Sequence, residues 1–506
     1  MAVITSIPLS PMDNIMPRFY ANFMFTFRLN PGVSFAAVHA LLQESLRRTC
    51  DELPILHRRV FALAPTADDP RTGRLEARQQ PDWIPQVVAN DLSSTWPDYD
   101  DLLDAGLVQD QLDGAVLFPP HAFSWDIYNE GAPGLVAQAN YVEGGVLLAF
   151  GIFHSIIDGT SGSLLMKVWA KHARAIQGDK NPGSALSIPQ ESCDYRLLEK
   201  LWRAEPGNIL PSDPTERQAM IRNAPAELWR LLGLLPPATP EELAATKEFA
   251  LSAPPSAPPP EMKTTIFYVS ASNFAALRAA ATAESASNPT TTPITANDAL
   301  MALLWRCIMR AREQAASPHE RATDYAPSAT SLLDTTLDGR ALFSADLPWS
   351  YMGTMVFIAT TSLPVHTLVS PSTTLAQVAT AIRKSVDAIT RETLQKAFGL
   401  ALALEDYGET LRFPFATFEG AEACFTSWVG LSAFDVSFGE VLFANGGRPD
   451  HLRPPRREFD AVCRRCVVLP MQVSGGFEVL VSLKREEMEV LEGDGEFARF
   501  AKFVCH

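Results

Sequence analysis

Several features that would narrow the function are missing from this sequence. It contains no run of eighteen apolar residues, which excludes an ordinary transmembrane helix. The stretch from Met1 to Ser6 has no basic segment followed by an apolar core, so we expect no secretory signal and no membrane partner. The seven cysteines are odd in number and scattered, which favours a reducing compartment and a cytosolic location over a disulfide framework.

Positive charge is also scarce. The chain has 42 lysines and arginines against 58 aspartates and glutamates, giving a formal net charge of −16. Nucleic-acid binding depends on neutralising phosphates with a basic surface, so this balance argues against that class of function.

The length and composition predict a globular protein of two domains. A chain of 506 residues, 47% hydrophobic and 20% charged, can bury two sizeable cores. We place an amino-terminal domain at residues 1–200, a proline-rich crossover at 201–262 and a carboxy-terminal domain at 263–506. The crossover ends in the stiff segment Ala253–Pro260, whose composition is typical of an extended linker.

One strand–turn–helix stretch stands out. The apolar run Val146–Phe153 has the length of a strand buried on both faces. Apolar residues then recur at helical spacing from Leu164 to Ile176. The sequence therefore places His154 at the carboxyl end of a buried strand, where open α/β sheets form their ligand crevices.

The other predicted elements follow from local patterns. Ser34 and Thr295 are expected helix caps, and the segment Ile7–Asp13 is expected to be extended because of its prolines. We expect a loop from Ala64 to Asp82. The remaining predicted strands are Phe23–Leu29, Thr264–Val269, Met355–Leu363, Cys424–Val429, Val441–Ala444, Val467–Val473 and Phe477–Leu483.

Short motifs along nearly the whole chain occur in a characteristic order. They are Leu9–Asp13, the His-x-x-x-Asp-Gly motif His154–Gly159, Asn297–Arg306, Asp338–Arg340, Leu347–Gly353, Thr426–Trp428 and Leu469–Leu483. Together they resemble the BAHD acyltransferase family, particularly its fungal branch typified by trichothecene 3-O-acetyltransferases.

That resemblance implies an α/β fold of two chloramphenicol-acetyltransferase-like domains with mixed sheets and an active-site channel at their interface. It also implies an acyl-CoA co-substrate, most simply acetyl-CoA, a small-molecule alcohol acceptor, no metal and a monomeric enzyme. One motif departs from the family. Where the family has Asp-Phe-Gly-Trp-Gly, this chain has Ser437-Phe438-Gly439-Glu440-Val441, which affects packing on the cofactor side more than the chemistry.

His154 suits the role of general base for acyl transfer, because an unperturbed histidine has a pKa near 6.5. No sequence signature of a serine or cysteine nucleophile is present, so direct attack on the thioester is expected. By resemblance, Thr426 is the candidate oxyanion donor, although it could instead be an ordinary strand threonine. Trp428 is expected to form the channel wall or part of the core.

Asp158 has two possible roles. It could orient His154 as a catalytic dyad, but a residue four positions on, at the start of a helix, can point away from the ring. In the resembling family this aspartate forms a structural ion pair, and Arg340 is the expected partner here. Asp158, Gly159 and Arg340 are therefore interpreted as structural support of the site.

The sequence leaves two further points open. Six arginines, among them Arg456 and Arg457, could bind the phosphates of CoA or belong to a solvated loop. The donor could also be a carrier-protein thioester, as in condensation domains, or the protein could be an inactive binding homologue. Intact His154, Asp158, Gly159 and Thr426 favour acyl-CoA-dependent transfer to a hydroxyl of a secondary metabolite.

Overall fold

The architecture was obtained from a computed structural model. It describes residues 6–67, 70–80, 83–119, 125–180, 186–238, 261–283, 292–408, 411–414, 420–455 and 463–506. The predicted linker Ala253–Pro260 lies outside these ranges, as do Arg456 and Arg457. Within them, no helix is long and apolar enough to cross a membrane.

The described chain has sixteen strands in three sheets. They are β1 Ser6–Pro8, β2 Tyr20–Arg28, β3 Arg58–Ala62, β4 Leu75–Gln79, β5 Val87–Asp91, β6 Ala132–Pro133, β7 Leu135–Val142, β8 Gly145–Phe153, β9 Met262–Val269, β10 Thr330–Asp338, β11 Val356–Pro364, β12 Glu422–Ser427, β13 His451–Arg453, β14 Arg465–Val468, β15 Phe477–Lys484 and β16 Lys502–Cys505.

Helices pack against these sheets. They are α1 Pro11–Asn14, α2 Phe35–Glu52, α3 Tyr99–Asp104, α4 Gly114–Leu117, α5 Gly159–Ile176, α6 Leu197–Ala204, α7 Pro214–Arg222, α8 Ala226–Leu231, α9 Ala271–Thr282, α10 Ala296–Ala315, α11 Pro318–Thr323, α12 Arg340–Phe343, α13 Val365–Val369, α14 Leu375–Asp387, α15 Arg391–Ala403, α16 Arg485–Glu492 and α17 Gly495–Phe500. Single 3₁₀ turns occur at Pro54–His57, Gln109–Gln111, His154–Ile156, Gln190–Cys193 and Asn445–Gly447.

The amino-terminal sheet has the strand order β13-β2-β8-β7-β5. Strand β8 is central, antiparallel to both neighbours and buried at every residue, which explains its unbroken apolar sequence. Helices α2 and α5 pack against each other, and the indole of Trp169 donates a hydrogen bond of 2.9 Å to Ser45 Oγ between them. The predicted strand and helix around His154 are confirmed.

Strands β1-β4-β3-β6 form a small sheet, and two predictions for this region need correction. Leu75–Gln79 is a strand between β1 and β3, within the polar, proline-punctuated stretch for which the sequence predicts a loop. The segment Ile7–Asp13 is extended only at its start. Ser10 then caps α1, accepting a hydrogen bond from the backbone of Asp13, with Pro11 at the first helical position.

The carboxy-terminal sheet has the order β11-β10-β12-β14-β15-β9-β16. It is mixed, because β10–β12 and β12–β14 are parallel pairs and the other pairs are antiparallel. Two mixed sheets flanked by helices are the α/β architecture expected from the sequence. The two halves also exchange an element, since β13 lies between β12 and β14 in the chain but pairs with β2 of the amino-terminal sheet.

The degenerate motif Ser437–Val441 lies beside the far end of α5. Phe438 is fully buried and contacts the ring of Trp169 edge-on at 5.9 Å. Gly439 has a φ of +101°, and a Cβ there would come within 2.2 Å of Gln177 Nε2. These two residues are thus required by packing, whereas the exposed Glu440 and Val441 are not.

The predicted strand Val441–Ala444 is wrong. The backbone N–H groups of Val441 and Leu442 donate to the side-chain oxygen of Gln177 at 3.1 and 3.2 Å. Those donors are therefore unavailable to a neighbouring strand, and only an isolated bridge between Phe443 and Leu29 remains.

Candidate active site

A cavity of about 400 Å³ lies between the two large sheets. One wall comes from the amino-terminal half, where Phe19, His154 and Gly159–Thr160 line it. The opposite wall is one face of the carboxy-terminal sheet, including Thr336, Thr426 and Trp428. The expected site thus lies at the interface of the two halves.

His154 lies where β8 ends and the chain turns into α5. Its backbone N–H donates to the carbonyl of Phe19 at 2.9 Å, and its ring packs edge-on against that of Phe19 with 5.5 Å between centroids. The imidazole is partly exposed and lines the cavity, so a substrate in the cavity can reach it.

Asp158, by contrast, is almost fully buried. It caps α5, accepting hydrogen bonds from the backbone N–H and the hydroxyl of Ser161 at 3.0 and 2.9 Å. Arg340 forms two contacts with the carboxylate, 2.9 Å to Oδ2 and 3.0 Å to Oδ1, and the N–H of Met355 donates to Oδ2 at 2.9 Å. The ion pair expected with Arg340 is therefore present.

The electrostatics of this carboxylate follow from its partners. Burial by itself raises the pKa of Asp158, but the charge of Arg340 and these hydrogen bonds outweigh it and hold the pKa below its usual value. Among the described residues, no hydrogen bond joins Asp158 to His154. The geometry favours structural support over a catalytic dyad.

Arg340 connects this ion pair to the next segment of the site. Its guanidinium also donates to the carbonyls of Tyr351 at 2.9 Å and Gly353 at 3.0 Å. Asp13 fixes the same segment by accepting from the N–H of Thr354 at 2.8 Å. Three motifs far apart in sequence thus hold one loop beside His154.

Gly159 begins α5 and contributes to the cavity wall. A Cβ there would lie 3.5 Å from Leu431 Cδ1, which is an ordinary contact, so packing alone does not require glycine.

Thr426 and Trp428 face the cavity from β12 and the residue just beyond it. Within the described chain, the Thr426 hydroxyl has no hydrogen-bond partner, so its side chain is not paired across the sheet. Trp428 packs on Phe23 with 5.0 Å between ring centroids and forms part of the wall.

The described members of the arginine cluster do not form a single surface. Arg453 is buried and paired with Glu478, where Nη2 donates to Oε1 at 2.8 Å. Arg464 is paired with Glu487 at 2.6 Å, and Arg465 lines the cavity. Arg448 is exposed, and the candidate phosphate-binding residues Arg456 and Arg457 fall outside the described ranges.

Sequence reasoning missed two cavity residues, Asp334 and Thr336. Together with Asp338 they alternate along β10 and line the cavity. Because β10 lacks a regular apolar alternation, the clearest pattern that the sequence offers here is the turn at Asp338–Arg340. No group of three or more potential metal ligands occurs in the described part of the chain.

Comparisons with known proteins agree with this geometry. The Transferase family model matches residues 117–498, more than half of the chain. Residues 19–173 match the trichothecene 3-O-acetyltransferase-like N-terminal domain. The chain belongs to the Transferase family. The resemblance inferred from the motifs is confirmed.

Relatives of this Transferase-family chain include two curated fungal proteins. It is 30% identical to the isocyanide synthase–NRPS hybrid crmA of Aspergillus fumigatus over 99% of its own length, but spans only 31% of that protein. It is 28% identical to the eremophilane O-acetyltransferase ORF8 of Penicillium roqueforti, covering 98% of both chains.

The fold has solved counterparts. The structure of F. sporotrichioides TRI101 complexed with coenzyme A and T-2 aligns with a TM-score of 0.75 at 18% identity, covering 99% of this chain and 100% of the other. The two-domain α/β architecture is therefore shared.

Proposed function

We propose that this protein is an acyl-CoA-dependent O-acyltransferase, transferring an acetyl group to a hydroxyl of a fungal secondary metabolite. Membership of the Transferase family supports this, as does the similarity to an eremophilane O-acetyltransferase over nearly the whole of both chains. Coenzyme A is bound in the TRI101 structure that shares the fold.

The observation that carries the proposal is the pairing of groups across the cavity. His154 faces it from one half of the molecule and Thr426 from the other. A base and a hydroxyl donor on opposite walls are what attack of an alcohol on a thioester requires.

The proposed reaction proceeds in two proton transfers. His154 accepts the proton of the acceptor hydroxyl as its oxygen attacks the thioester carbonyl, and Thr426 donates a hydrogen bond to the resulting oxyanion. When the tetrahedral intermediate collapses, the carbon–sulfur bond breaks and His154 returns the proton to the leaving thiolate. The new ester and the free thiol account for all atoms and charges.

A cysteine of the cavity and the serine that follows His154 both favour this direct route over an acyl-enzyme. Cys424 lines the cavity, but burial and the nearby charge of Asp334 raise its pKa to about 12. Its thiol is therefore protonated at neutral pH and a poor nucleophile. Ser155 is completely buried and does not line the cavity.

Arg456 and Arg457 are further proposed to bind the phosphates of CoA. A protein of net charge −16 repels a polyanion unless a local surface offsets its field. Reversing both charges should raise the KM for acetyl-CoA and leave turnover at saturation unchanged, because contacts far from the reacting carbon affect ground and transition states alike. Acetyl-pantetheine, which lacks those phosphates, serves as the control substrate.

The proposed function is tested by incubating the purified protein with acetyl-CoA and a panel of terpenoid and polyketide alcohols. We expect an acetylated alcohol by mass spectrometry, together with release of an equal amount of free CoA. His154→Ala protein is the control for uncatalysed transfer. Acetylation that occurs only from an acylated carrier protein would contradict the donor assignment.

A further inference from the structure

The wall formed by the carboxy-terminal sheet has a polar row across its strands. In the register of the sheet, Asp334 on β10 lies between Thr360 on β11 and Cys424 on β12. The parallel pairing of Phe425 with Cys466 continues this row to Arg465 on β14. Asp334, Cys424 and Arg465 all line the cavity.

Asp334 is a carboxylate in an unusual place. Only 6% of the residue is exposed, and the cavity that it lines also has the apolar side chains of Leu232, Ile358 and Phe413. Burying a carboxylate is costly unless partners satisfy its charge and its hydrogen-bonding capacity.

The partners of Asp334 satisfy its charge and its hydrogen-bonding capacity only in part. Thr360 donates a short hydrogen bond of 2.6 Å to Oδ1. Among the described residues, the cation paired with Oδ2 is Arg230, at 3.4 Å, and the same guanidinium lies closer to Glu422, at 2.9 Å. Arg230 is therefore shared between two carboxylates, and its stronger contact is with the other one.

The balance of these effects is unfavourable to the charged form. Burial raises the pKa of Asp334 above its usual value, and the hydrogen bond from Thr360 and the charge of Arg230 do not fully offset it. A further donor from the cavity side would improve the environment of Oδ2.

The row has a defined position relative to the proposed reaction centre. Cys424 precedes Thr426 by two residues on β12, so the Asp334 row lies roughly 7 Å from Thr426 along the strand direction. On the side of Thr426 away from Asp334, Asp338 accepts a hydrogen bond of 2.7 Å from Thr160, which connects the carboxyl end of β10 to the start of α5. Since Asp334 lines the same cavity as His154 and Thr426, an acceptor whose hydroxyl reacts between those two residues has room to extend towards Asp334.

We propose that Asp334 is a specificity-determining residue that accepts a hydrogen bond from a second hydroxyl or amino group of the acceptor, roughly 7 Å from the hydroxyl that is acylated. This inference rests on the proposed function. It predicts that the enzyme prefers diols and amino alcohols with this spacing over otherwise identical alcohols that lack the remote donor. With those alcohols, Oδ2 of Asp334 receives no hydrogen bond from the acceptor.

The test uses the best acceptor from the alcohol panel and its derivative in which the remote donor is replaced by hydrogen. With the unmodified enzyme, we expect the derivative to lose about tenfold to a hundredfold in kcat/KM. Asp334→Leu should lower kcat/KM for the parent acceptor by a similar factor and leave the derivative nearly unchanged. Asp387→Leu, which removes a carboxylate from a helix surface outside the cavity lining, is the matched control and should preserve the discrimination.

Asp334→Asn separates the two kinds of donor. Its single amide oxygen can keep the hydrogen bond from Thr360, and its NH2 group can then donate to a hydroxyl oxygen, so a diol should lose little. An ammonium group cannot accept a hydrogen bond and loses its counter-charge, so it should lose about as much as with Asp334→Leu. Asp334→Asn preserves side-chain shape and should have the melting temperature of the unmodified enzyme. The diol and the amino alcohol can therefore be compared even if Asp334→Leu does not fold.

Two results would overturn the inference. One is a best acceptor that has no remote donor, or that is used as well after its donor is removed. The other is an equal loss for parent and derivative in the Asp334 variants, which would indicate a purely structural role. Failure to acetylate any alcohol counts against the proposed function itself, whereas acetylation without this discrimination counts against Asp334 alone.

Discussion

His154 is the only residue asked to move a proton twice in the proposed reaction, so its removal should affect turnover far more than folding. Its side chain faces a cavity and packs edge-on against the ring of Phe19. We expect His154→Ala to lower kcat by about two to four orders of magnitude, the usual effect of losing a general base. Steady-state kinetics, with the melting temperature and the Kd for acetyl-CoA as controls, check this. Near-normal turnover in the folded variant would remove His154 from the mechanism.

Thr426 provides a second prediction for a single residue. If its hydroxyl stabilises the oxyanion, Thr426→Val should lower kcat by about a hundredfold, with a smaller change in KM, because the contact is made mainly in the transition state. Thr426→Ser keeps the hydroxyl and should recover most of the rate. Equal losses in both variants would instead indicate that the methyl group matters for packing in β12.

At the scale of elements, the turn between β8 and α5 depends on the ion pair of Asp158 and Arg340. We expect Asp158→Asn and Arg340→Met each to lower the melting temperature, since breaking a buried pair costs about 3–5 kcal/mol by leaving one charge alone. The double variant should be less destabilised than the sum of the two, because they share one interaction. Activity lost at unchanged stability, with additive single effects, would favour the dyad interpretation.

The same pair predicts a pH dependence. Because the pKa of Asp158 is held below its unfolded value, its stabilising contribution is present above the unfolded pKa and is lost as the pH falls through the folded pKa. The difference in melting temperature between the natural protein and Asp158→Asn should therefore be largest near neutral pH and shrink below about pH 4. A difference that stays constant into acid would mean that the substitution acts through packing alone.

These elements also show what the sequence could predict. The strand–turn–helix around His154 was predictable because β8 is apolar throughout and α5 has a regular apolar stripe. Strand β10 was missed because its cavity-facing positions are polar, and a strand that contributes a binding surface lacks the usual apolar alternation. Tertiary partners decided the other cases: the Gln177 side chain takes the N–H groups of Val441 and Leu442, so no strand forms there.

At the scale of the whole molecule, the two halves are joined by more than a shared cavity. Strand β13 pairs with β2 in the amino-terminal sheet, while Arg453 at its end pairs with Glu478 on β15 of the carboxy-terminal sheet. The Gln109 side chain adds a hydrogen bond of 2.8 Å to the carbonyl of Pro454. A domain division placed only by chain position cannot reveal this exchange, because it depends on a three-residue strand within a proline- and arginine-rich segment.

This strand exchange predicts different effects for two arginine–glutamate pairs, one that connects the two sheets and one that lies within a single half. Arg453–Glu478 connects the two sheets, whereas Arg464–Glu487 joins the start of β14 to α16 within one half. Both glutamates are nearly fully buried, so Arg453→Met and Arg464→Met should each lower the melting temperature by leaving a buried carboxylate unpaired.

Only Arg453→Met should also loosen β13 from β2 and change the alignment of the walls that present His154 and Thr426. We therefore expect faster amide hydrogen exchange in β2 and a lower kcat/KM for Arg453→Met, with both unchanged for Arg464→Met. If the two variants lose stability and activity in the same proportion, the Arg453 pair stabilises the fold without aligning the cavity.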